Sequence, residues 1–273
     1  MNEECAVIGY YCTKNKEECI QKCIKSLEKL QHRGRESSGI SYYNDNSWNL
    51  YHGIGLVKNI YKNYSNDNPV RSIIGHNRYS TAGKNSNNNV EISEEFVKGS
   101  FKLQPFYDSS FNISMVHNGN IQGLSYETND SEHIFNYIIK KMGDGFGYKF
   151  IFINLLNEFK GIYNLIIQTE EGLFLIRDRF GVRPFYYGWL DDNIVVCGSE
   201  TCAFDESTKK IKEVKPGEVI YIGDNETIAK QVNVNRKYIH KYYQLPEKHI
   251  NPSFCIFEHL YFMNHSSIVN DNS

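Results

Sequence analysis

The chain has 273 residues, of which 40% are hydrophobic and 23% are charged, and its formal net charge is −2. This composition is typical of a folded globular protein and not of a disordered one. The near-neutral charge and the lack of a basic cluster in the sequence disfavour nonspecific nucleic-acid binding. With no apolar run of about 18 residues and no signal-peptide pattern, we expect no membrane association and a cytoplasmic location.

The cysteines and histidines argue against a metal site. The seven cysteines are an odd number, and the sequence contains no CxxC pair. Without a secretion signal, this favours reduced intracellular thiols. Cys19 and Cys23 have helical spacing, but no second Cys or His pair follows them as in a zinc site. The nine histidines show no HExxH spacing. We predict that the protein binds no metal and needs no cofactor.

The first part of the chain predicts four strands and a helix. Cys5–Cys12 is an apolar run typical of a strand. Lys16–Gln31 has the apolar spacing of an amphipathic helix, with Ile20, Cys23, Ile24, Leu27 and Leu30 on one face. The predicted strands Ser38–Tyr43 and Trp48–His52 flank a turn-rich Asn-Asp-Asn sequence, and Ile73–Tyr79 is a further strand.

The rest of the chain predicts two helices among many strands. A strand at Phe111–Val116 is followed by a turn at His117–Asn120. Helices are predicted at Asp130–Met142, capped by Asn129 or Asp130, and at Phe150–Phe159. Later strands are predicted at Tyr163–Gln168, Leu173–Arg177, Phe185–Trp189, Ile194–Cys197 and Val219–Ile222, whereas Asn235–Asn251 shows no clear period. Strands joined by hairpin-length turns, with few helices, indicate an α+β fold with antiparallel sheets.

Cys5 would be the N-terminal residue if the four residues before it were removed. It would then carry a nucleophile and a base on one residue, because only the thiolate reacts and a free α-amine, with a pKa of about 7.7–8.0, can accept the thiol proton. The alternative is that Cys5 is a small buried residue of the first strand. Taken alone, the sequence around Cys5 favours this second interpretation.

Four polar clusters at the ends of predicted elements change this balance. They are His32–Arg35, Gly75–Gly83, His117–Asn120 and Thr128–Glu132. Residues at element ends often bind ligands, although each cluster taken alone is better explained as a helix cap or a turn. In this order behind Cys5, they closely resemble the class II glutamine amidotransferases, whose glutaminase domain belongs to the N-terminal nucleophile hydrolases.

Within that class the chain is most similar to the glutaminase half of the amidophosphoribosyltransferases. Its GHNRYSTAG sequence resembles their GHxRYxTAG motif and differs from the tryptophan-bearing form of glucosamine-phosphate synthase. Gln104–Phe106, Gly198–Phe204 and Phe257–Phe262 also resemble this family, and Asn2–Glu4 resembles the end of a propeptide. The resemblance extends from about Asn2 to Phe262, and it makes a catalytic role the favoured interpretation of Cys5.

The resemblance implies a fold and a division of the chain. We expect a four-layer αββα sandwich of two mainly antiparallel sheets. Residues 1–4 would be a leader that is removed, residues 5–262 the glutamine amidotransferase domain, and residues 263–273 a polar tail.

The resemblance also implies the catalytic residues. Cys5 would attack the side-chain amide of glutamine and form a thioester. The side-chain amide of Asn118 and the backbone N–H of Gly119 would form the oxyanion hole, which needs donors already aimed at the developing charge. Arg33 and Gly34 match the loop that supports the nucleophile in this family.

The implied substrate residues recognise the two charged ends of glutamine. Arg78 offers a planar fork to the α-carboxylate, with the Thr81 hydroxyl beside it, and Asp130 supplies an anion for the α-ammonium. One departure lies next to the nucleophile, where Ala6 replaces the usual glycine of the family. Its methyl group could slow processing or tighten the pocket.

The phosphoribosyltransferase half of the family has no counterpart in this sequence. The most similar stretch, Val219–Thr227, lacks the acidic pair and the Gly/Thr-rich loop that hold phosphate and metal, and neither a P-loop nor a GxGxxG motif occurs. Cys255 resembles the position of one iron–sulfur ligand in some relatives, but a single cysteine holds no cluster.

Three functions therefore stay open. The chain could hydrolyse glutamine to glutamate and ammonia, linked to purine nucleotide synthesis. It could be a truncated, non-catalytic relic that binds glutamine or a partner protein. It could also be an ammonia-donating subunit of a separate synthase chain. Complete site residues favour catalysis over the relic, with glutamine as the expected ligand.

Overall fold

The structure is a computed structural model that describes residues 5–66, 68–79, 103–123, 129–225, 238–253, 263–264 and 266–267. Sequence features outside these residues include the leader Met1–Glu4, Thr81 with the rest of Ser80–Gly83, Thr128, Cys255 and the stretch Phe257–Phe262. Predictions about them, and the division into leader, domain and tail, stay predictions.

The Cys5 end of the chain enters the middle of the first sheet. This sheet has seven described strands, all paired antiparallel, in the order β11-β9-β10-β1-β4-β2-β3. Its strands are β1 (Ala6–Lys16), β2 (Ser37–Tyr43), β3 (Trp48–Ile54), β4 (Val70–Arg78), β9 (Tyr186–Trp189), β10 (Ile194–Gly198) and β11 (Lys209–Glu213).

The second sheet has six described strands, again antiparallel, in the order β13-β12-β8-β7-β6-β5. Its strands are β5 (Phe106–Asp108), β6 (Ile113–Ile121), β7 (Gly161–Thr169), β8 (Gly172–Arg177), β12 (Glu218–Gly223) and β13 (Ile239–Gln244).

The α-helices of the described part are α1 (Glu18–Lys29), α2 (Val57–Ile60), α3 (Asp130–Gly143) and α4 (Tyr148–Glu158). Short 3-10 helices follow at Gln31–Arg33, Thr201–Ala203 and Glu247–His249. Of the two predicted caps of α3, Asn129 is the one observed, because its side chain accepts the Glu132 N–H at 3.1 Å. Among the described residues, no helix is long and apolar enough to cross a membrane.

Three apolar cores separate four layers. One core packs α1 against the outer face of the first sheet, a second packs α3 and α4 against the outer face of the second sheet, and the third lies between the sheets. Strand β1 contributes to two of them: Ile8 and Tyr10 point toward α1, whereas Val7 and Tyr11 point toward the second sheet. Because both faces of β1 are buried, its sequence is almost continuously apolar. The layers are those of the predicted αββα sandwich.

The predicted turn at His117–Asn120 is wrong, since these residues lie inside β6. Asn118 pairs with Asn164 and Gly119 pairs with Tyr163 on β7. Gly119 has φ +149°, and a Cβ at this position would lie 2.1 Å from the Ile162 carbonyl oxygen. Asn and Gly are typical turn residues, but here the glycine serves a close approach between two strands.

The other strands missed by the sequence patterns lie toward sheet edges. β11 is a charged edge strand, and β5 has three residues. β13 lies in the segment that showed no clear period, and its pairing with β12 shifts register between Val219 and Ile220. Edge strands commonly carry charged residues or bulges, and a bulge breaks the alternation on which strand prediction depends.

Candidate active site

Cys5 lies immediately before the central strand of the first sheet. Cys5 is 7% exposed. β1 pairs with β4 on one side and β10 on the other, with Ala6 opposite Asn77 and Ile8 opposite Gly198. The ends of β4 and β10 therefore flank the start of β1, and polar residues that are far apart in the sequence meet around Cys5.

Arg33 lies against the main chain of Cys5. Its Nε donates to the Cys5 carbonyl oxygen at 3.2 Å, and its Nη1 donates to Glu200 Oε1 at 2.7 Å. The side chains of Arg33 and Glu200 have no exposed surface. A buried arginine requires an anion close by, and Glu200 supplies it. At the supporting position implied for Arg33, the structure thus has a buried ion pair that contacts the main chain of Cys5.

Glu200 connects several segments of the chain. His32 Nε2 lies 2.8 Å from Glu200 Oε1, and the Asn264 N–H and Ser267 hydroxyl both donate to Oε2 at 2.7 Å. Burial raises the pKa of this carboxyl, but the hydrogen bond from His32 and the charge and hydrogen bond of Arg33 outweigh burial and lower it to about 2. Glu200 is therefore an anion near neutral pH.

Sequence reasoning assigned no role to Glu200. The residue belongs to the Gly198–Phe204 stretch that resembles the family, yet its partner Arg33 is 167 positions away. In the sequence, Arg33 is a basic residue after an amphipathic helix and Glu200 is an acidic residue after an apolar strand. Neither feature predicts that the two side chains form a buried ion pair.

Gly34 and Arg78 meet at the end of β4. A Cβ on Gly34 would lie 2.7 Å from the carbonyl carbon and oxygen of Arg78, so only glycine fits against this strand end. The Arg78 carbonyl accepts the Glu36 N–H at 3.0 Å, and Arg78 Nε lies 3.1 Å from Glu36 Oε2. The Arg78 side chain stays 29% exposed. Glu36 thus holds the guanidinium at the surface end of β4, a contact that the sequence did not predict.

Asn118 belongs to the second sheet and contacts the first through Ser199. Asn118 is fully buried, and its Nδ2 lies 3.5 Å from Ser199 Oγ. The same Oγ accepts the Val7 N–H at 3.0 Å, and the Ser199 N–H donates to the Val7 carbonyl at 2.9 Å. Ser199 therefore joins β1, two residues after Cys5, to the strand that carries Asn118 and Gly119.

A buried histidine lies where the two sheets approach each other. His76, on β4, lies against His117 on β6, and burial together with the Arg78 charge lowers the pKa of His76 to about 3. Near neutral pH the His76 imidazole is therefore uncharged. Its Nε2 is buried and has no hydrogen-bond partner among the described residues.

Asp130 is the first residue of α3 and lies against the end of β6. Its carboxylate accepts the Ile121 N–H at 3.1 Å and the Ser131 N–H at 2.8 Å. Its Oδ1 is 4.0 Å from His117 Nδ1, which in turn lies 2.7 Å from the Ser131 hydroxyl. Burial lowers the pKa of His117, and the charge of Asp130 opposes this effect. The anion is thereby fixed near the strand that carries Gly119.

The predicted site residues thus form two groups. Cys5, Arg33, Gly34 and Arg78 lie at one end of the first sheet, and a second group, Asn118, Gly119 and Asp130, lies on the second sheet and α3. Thr81 lies outside the described residues. Within those residues, no group of three His, Cys, Asp or Glu side chains is arranged to hold a metal ion.

Comparisons with known proteins point to one family. Residues 92–206 match a family model described as a glutamine amidotransferase domain. The chloroplastic amidophosphoribosyltransferase of Glycine max is 33% identical over 286 residues, which cover 98% of this chain and 44% of the relative.

Two solved structures share the fold. A structure of "the allosteric regulatory enzyme of purine biosynthesis" has a TM-score of 0.74 at 29% identity, covering 97% of this chain and 54% of that one. A glutamine phosphoribosylpyrophosphate amidotransferase from B. subtilis, complexed with ADP and GMP, has a TM-score of 0.71 at 27% identity, covering 96% and 54%. The predicted N-terminal nucleophile hydrolase fold is confirmed. The chain spans about half the length of the curated relatives it matches.

Proposed function

Since this chain carries a glutamine amidotransferase domain related to the amidophosphoribosyltransferases, we propose that it hydrolyses glutamine to glutamate and ammonia through a thioester on Cys5. The observation that carries the proposal is the position of Cys5 at the start of the central strand. Its carbonyl is held by the buried Arg33, and Ser199 ties its strand to Asn118.

The reaction would begin after removal of residues 1–4. The free α-amine of Cys5 takes the thiol proton, and the thiolate attacks the side-chain carbonyl carbon of glutamine. The resulting oxyanion accepts hydrogen bonds from the Asn118 side chain and the Gly119 N–H. When the C–N bond breaks, the α-amine returns its proton to the departing ammonia. Water then hydrolyses the thioester, releasing glutamate and the Cys5 thiol.

The ends of glutamine would be held by residues already fixed in place. Arg78 binds the α-carboxylate through its planar fork, with Thr81 beside it, and Glu36 restrains the guanidinium. Asp130 binds the α-ammonium, and its two backbone hydrogen bonds keep the carboxylate from turning away. Fixing both ends presents the amide to Cys5 in one orientation, which lowers the entropic cost of reaction.

The ammonia would serve an acceptor protein. The relatives are named for amido transfer to a phosphoribosyl group, so we propose that the ammonia enters purine nucleotide synthesis through a phosphoribosyl acceptor. The rival function is a non-catalytic domain that binds glutamine or a partner. The buried Arg33–Glu200 pair on the Cys5 main chain favours catalysis, because binding alone does not require a fixed nucleophile.

The test is release of glutamate and ammonia by the purified chain after its N-terminus has been determined. We expect hydrolysis by the wild type and none by Cys5→Ala. Cys12→Ala is the matched control, because Cys12 is a buried cysteine on β1, the strand that follows Cys5. This variant should stay active. Hydrolysis of glutamine by Cys5→Ala would contradict the proposal. Wild-type protein that begins at Cys5 and hydrolyses no glutamine would also contradict it, and this result would favour a non-catalytic binding domain.

A further inference from the structure

Ser199 and Asn118 each leave one hydrogen-bonding capacity unused where they meet. The Asn118 Oδ1 atom is buried and accepts no hydrogen bond from the described residues. The Ser199 hydroxyl oxygen accepts the Val7 N–H at 3.0 Å and, at the long distance of 3.5 Å, a hydrogen bond from Asn118 Nδ2. In the described part of the chain the Ser199 hydroxyl donates to no acceptor. A carbonyl oxygen without a donor and a hydroxyl without an acceptor therefore lie side by side.

A half-turn of the Asn118 amide pairs these two groups. The turn exchanges the positions of Oδ1 and Nδ2, which have nearly the same shape. Oδ1 then accepts the Ser199 hydroxyl proton, and a buried acceptor is no longer unsatisfied. Both Nδ2 hydrogens become available on the side away from Ser199. In the opposite orientation the carbonyl oxygen faces that side, where it would repel a developing negative charge.

We propose that Ser199 is the positioning residue of the oxyanion hole: its hydroxyl donates to Asn118 Oδ1 and so turns Nδ2 toward the reacting oxygen of glutamine. This inference rests on the proposed glutaminase function. Ser199 acts only through Asn118 and touches no substrate.

Ser199 suits this task because its own position is fixed. It is fully buried, so water does not compete for its hydroxyl. Its backbone N–H and its Oγ both bind Val7, two residues after Cys5. The orientation of the oxyanion donor is therefore set by the same strand that carries the nucleophile.

A double-mutant cycle tests the proposal with glutamine as substrate. Asn118→Ala should lower kcat by about 10²–10³-fold, as for loss of an oxyanion donor. Ser199→Ala should lower kcat by about 3- to 10-fold, the effect of one neutral hydrogen bond, with KM within about twofold. Ser199→Ala placed in the Asn118→Ala protein should cause no further fall in kcat.

The matched control is Ser114→Ala, on the same strand as Asn118. Ser114 is fully buried and donates to the Phe106 carbonyl at 2.8 Å, so its loss removes a comparable hydrogen bond away from the site. It should lower stability and leave kcat unchanged. Alkylation of Cys5 by iodoacetamide provides a second measurement, because that reaction forms no oxyanion. Its rate should be the same in wild type and Ser199→Ala.

The outcomes separate this inference from the proposed function. A wild type that begins at Cys5 and hydrolyses no glutamine overturns the proposed function. If the wild type is active, an unchanged kcat in Ser199→Ala overturns the inference. The inference is also overturned if Ser199→Ala lowers kcat by the same factor in wild type and in the Asn118→Ala protein. It is overturned as well if Ser199→Ala slows the alkylation of Cys5. Either result would assign Ser199 a general structural role.

Discussion

At the scale of single residues, the central feature is a buried ion pair on the main chain of Cys5, the proposed nucleophile. Arg33 and Glu200 are both withdrawn from solvent, and desolvation of two charges can exceed their mutual attraction. The pair therefore adds little net stability compared with apolar residues. It is well suited to fixing the geometry of Cys5, because breaking a buried ion pair is strongly destabilising.

Replacing Glu200 with Gln should destabilise the protein by about 3–5 kcal/mol at pH 7, the usual cost of breaking a buried pair. In wild type the folded pKa of about 2 lies below the ordinary 4.5. This stabilisation, about 3 kcal/mol, is fully present above pH 4.5 and is lost as the pH falls toward 2. Urea unfolding at several pH values should therefore show the two proteins converging over that range.

The control for this variant is Glu213→Gln, which removes the carboxylate partner of the buried Arg177 away from the site. It should leave kcat for glutamine unchanged, whereas Glu200→Gln should lower it. A constant difference in stability between wild type and Glu200→Gln from pH 7 to pH 2 would disprove the assigned charge state.

Arg78→Lys should mainly raise KM for glutamine. Lysine keeps the charge but loses the two-pronged geometry. Loss of a charge-assisted hydrogen bond of about 1.5–3 kcal/mol corresponds to roughly a 10- to 100-fold fall in kcat/KM. Arg71→Lys, at a different ion pair with Asp224, is the control and should leave the kinetics unchanged. Wild-type kinetics in both Arg78→Lys and Asp130→Asn would show that glutamine binds elsewhere.

At the scale of elements, β1 follows the proposed nucleophile and β6 carries the proposed oxyanion hole. The residues of β6 were predicted as a turn, and Ala6 of β1 was expected to affect the pocket. The methyl group of Ala6 packs in the core between the first sheet and α1, so it points away from the core between the sheets, where its neighbour Val7 lies. The concern that this methyl tightens the pocket therefore receives no support from its packing.

Ala6→Gly should lower the free energy of unfolding by about 0.5–1 kcal/mol, because glycine loses more backbone entropy on folding. Its kcat for glutamine should stay within twofold of wild type. Chemical denaturation and steady-state kinetics measure the two quantities. A clear rise in kcat or in the rate of leader removal would show that the methyl group does obstruct the nucleophile.

The sequence predicted best the elements that are buried on both faces. β1 and α1 have strong apolar patterns because several layers cover them. The edge strands β5, β11 and β13 lack such patterns. For the candidate site, the motifs named Cys5, Arg33 and Asn118, whose roles stay predictions. Glu200 and Ser199 were not named, because Glu200 pairs with Arg33 across 167 positions and Ser199 contacts Asn118 across 81. No local pattern encodes such pairs.

At the scale of the whole molecule, the site is divided between two sheets. Cys5 and Arg78 lie on one sheet, while Asn118 and Asp130 lie on or against the other. Their alignment depends on how the sheets pack, and the hydrogen bond between Ser199 and Asn118 bridges the sheets. Val219–Ile222, the start of the stretch most similar to the phosphoribosyltransferase half, is part of β12 and pairs with β8 and β13 on its two edges.

We predict that phosphoribosyl pyrophosphate and Mg²⁺ do not change the rate of glutamine hydrolysis by this 273-residue chain, and that no phosphoribosylamine forms. Coupling between two sites requires that both ligands bias a shared element. The described residues contain no cluster of three acidic or histidine ligands for a metal. Ammonia release with and without the acceptor is the measurement, and clear stimulation would reveal an acceptor site in this chain.

The proposed reaction requires Cys5, as the N-terminal residue, to form a covalent intermediate with glutamine. Acid-quenched mixtures of the protein and glutamine, digested and sequenced by mass spectrometry, test this requirement directly. We expect an N-terminal peptide that begins at Cys5 and carries one glutamyl group on its thiol, and we expect Cys5→Ala to lack this group. Active protein that retains Met1–Glu4, or a glutamyl group on a different residue, would contradict the proposed reaction.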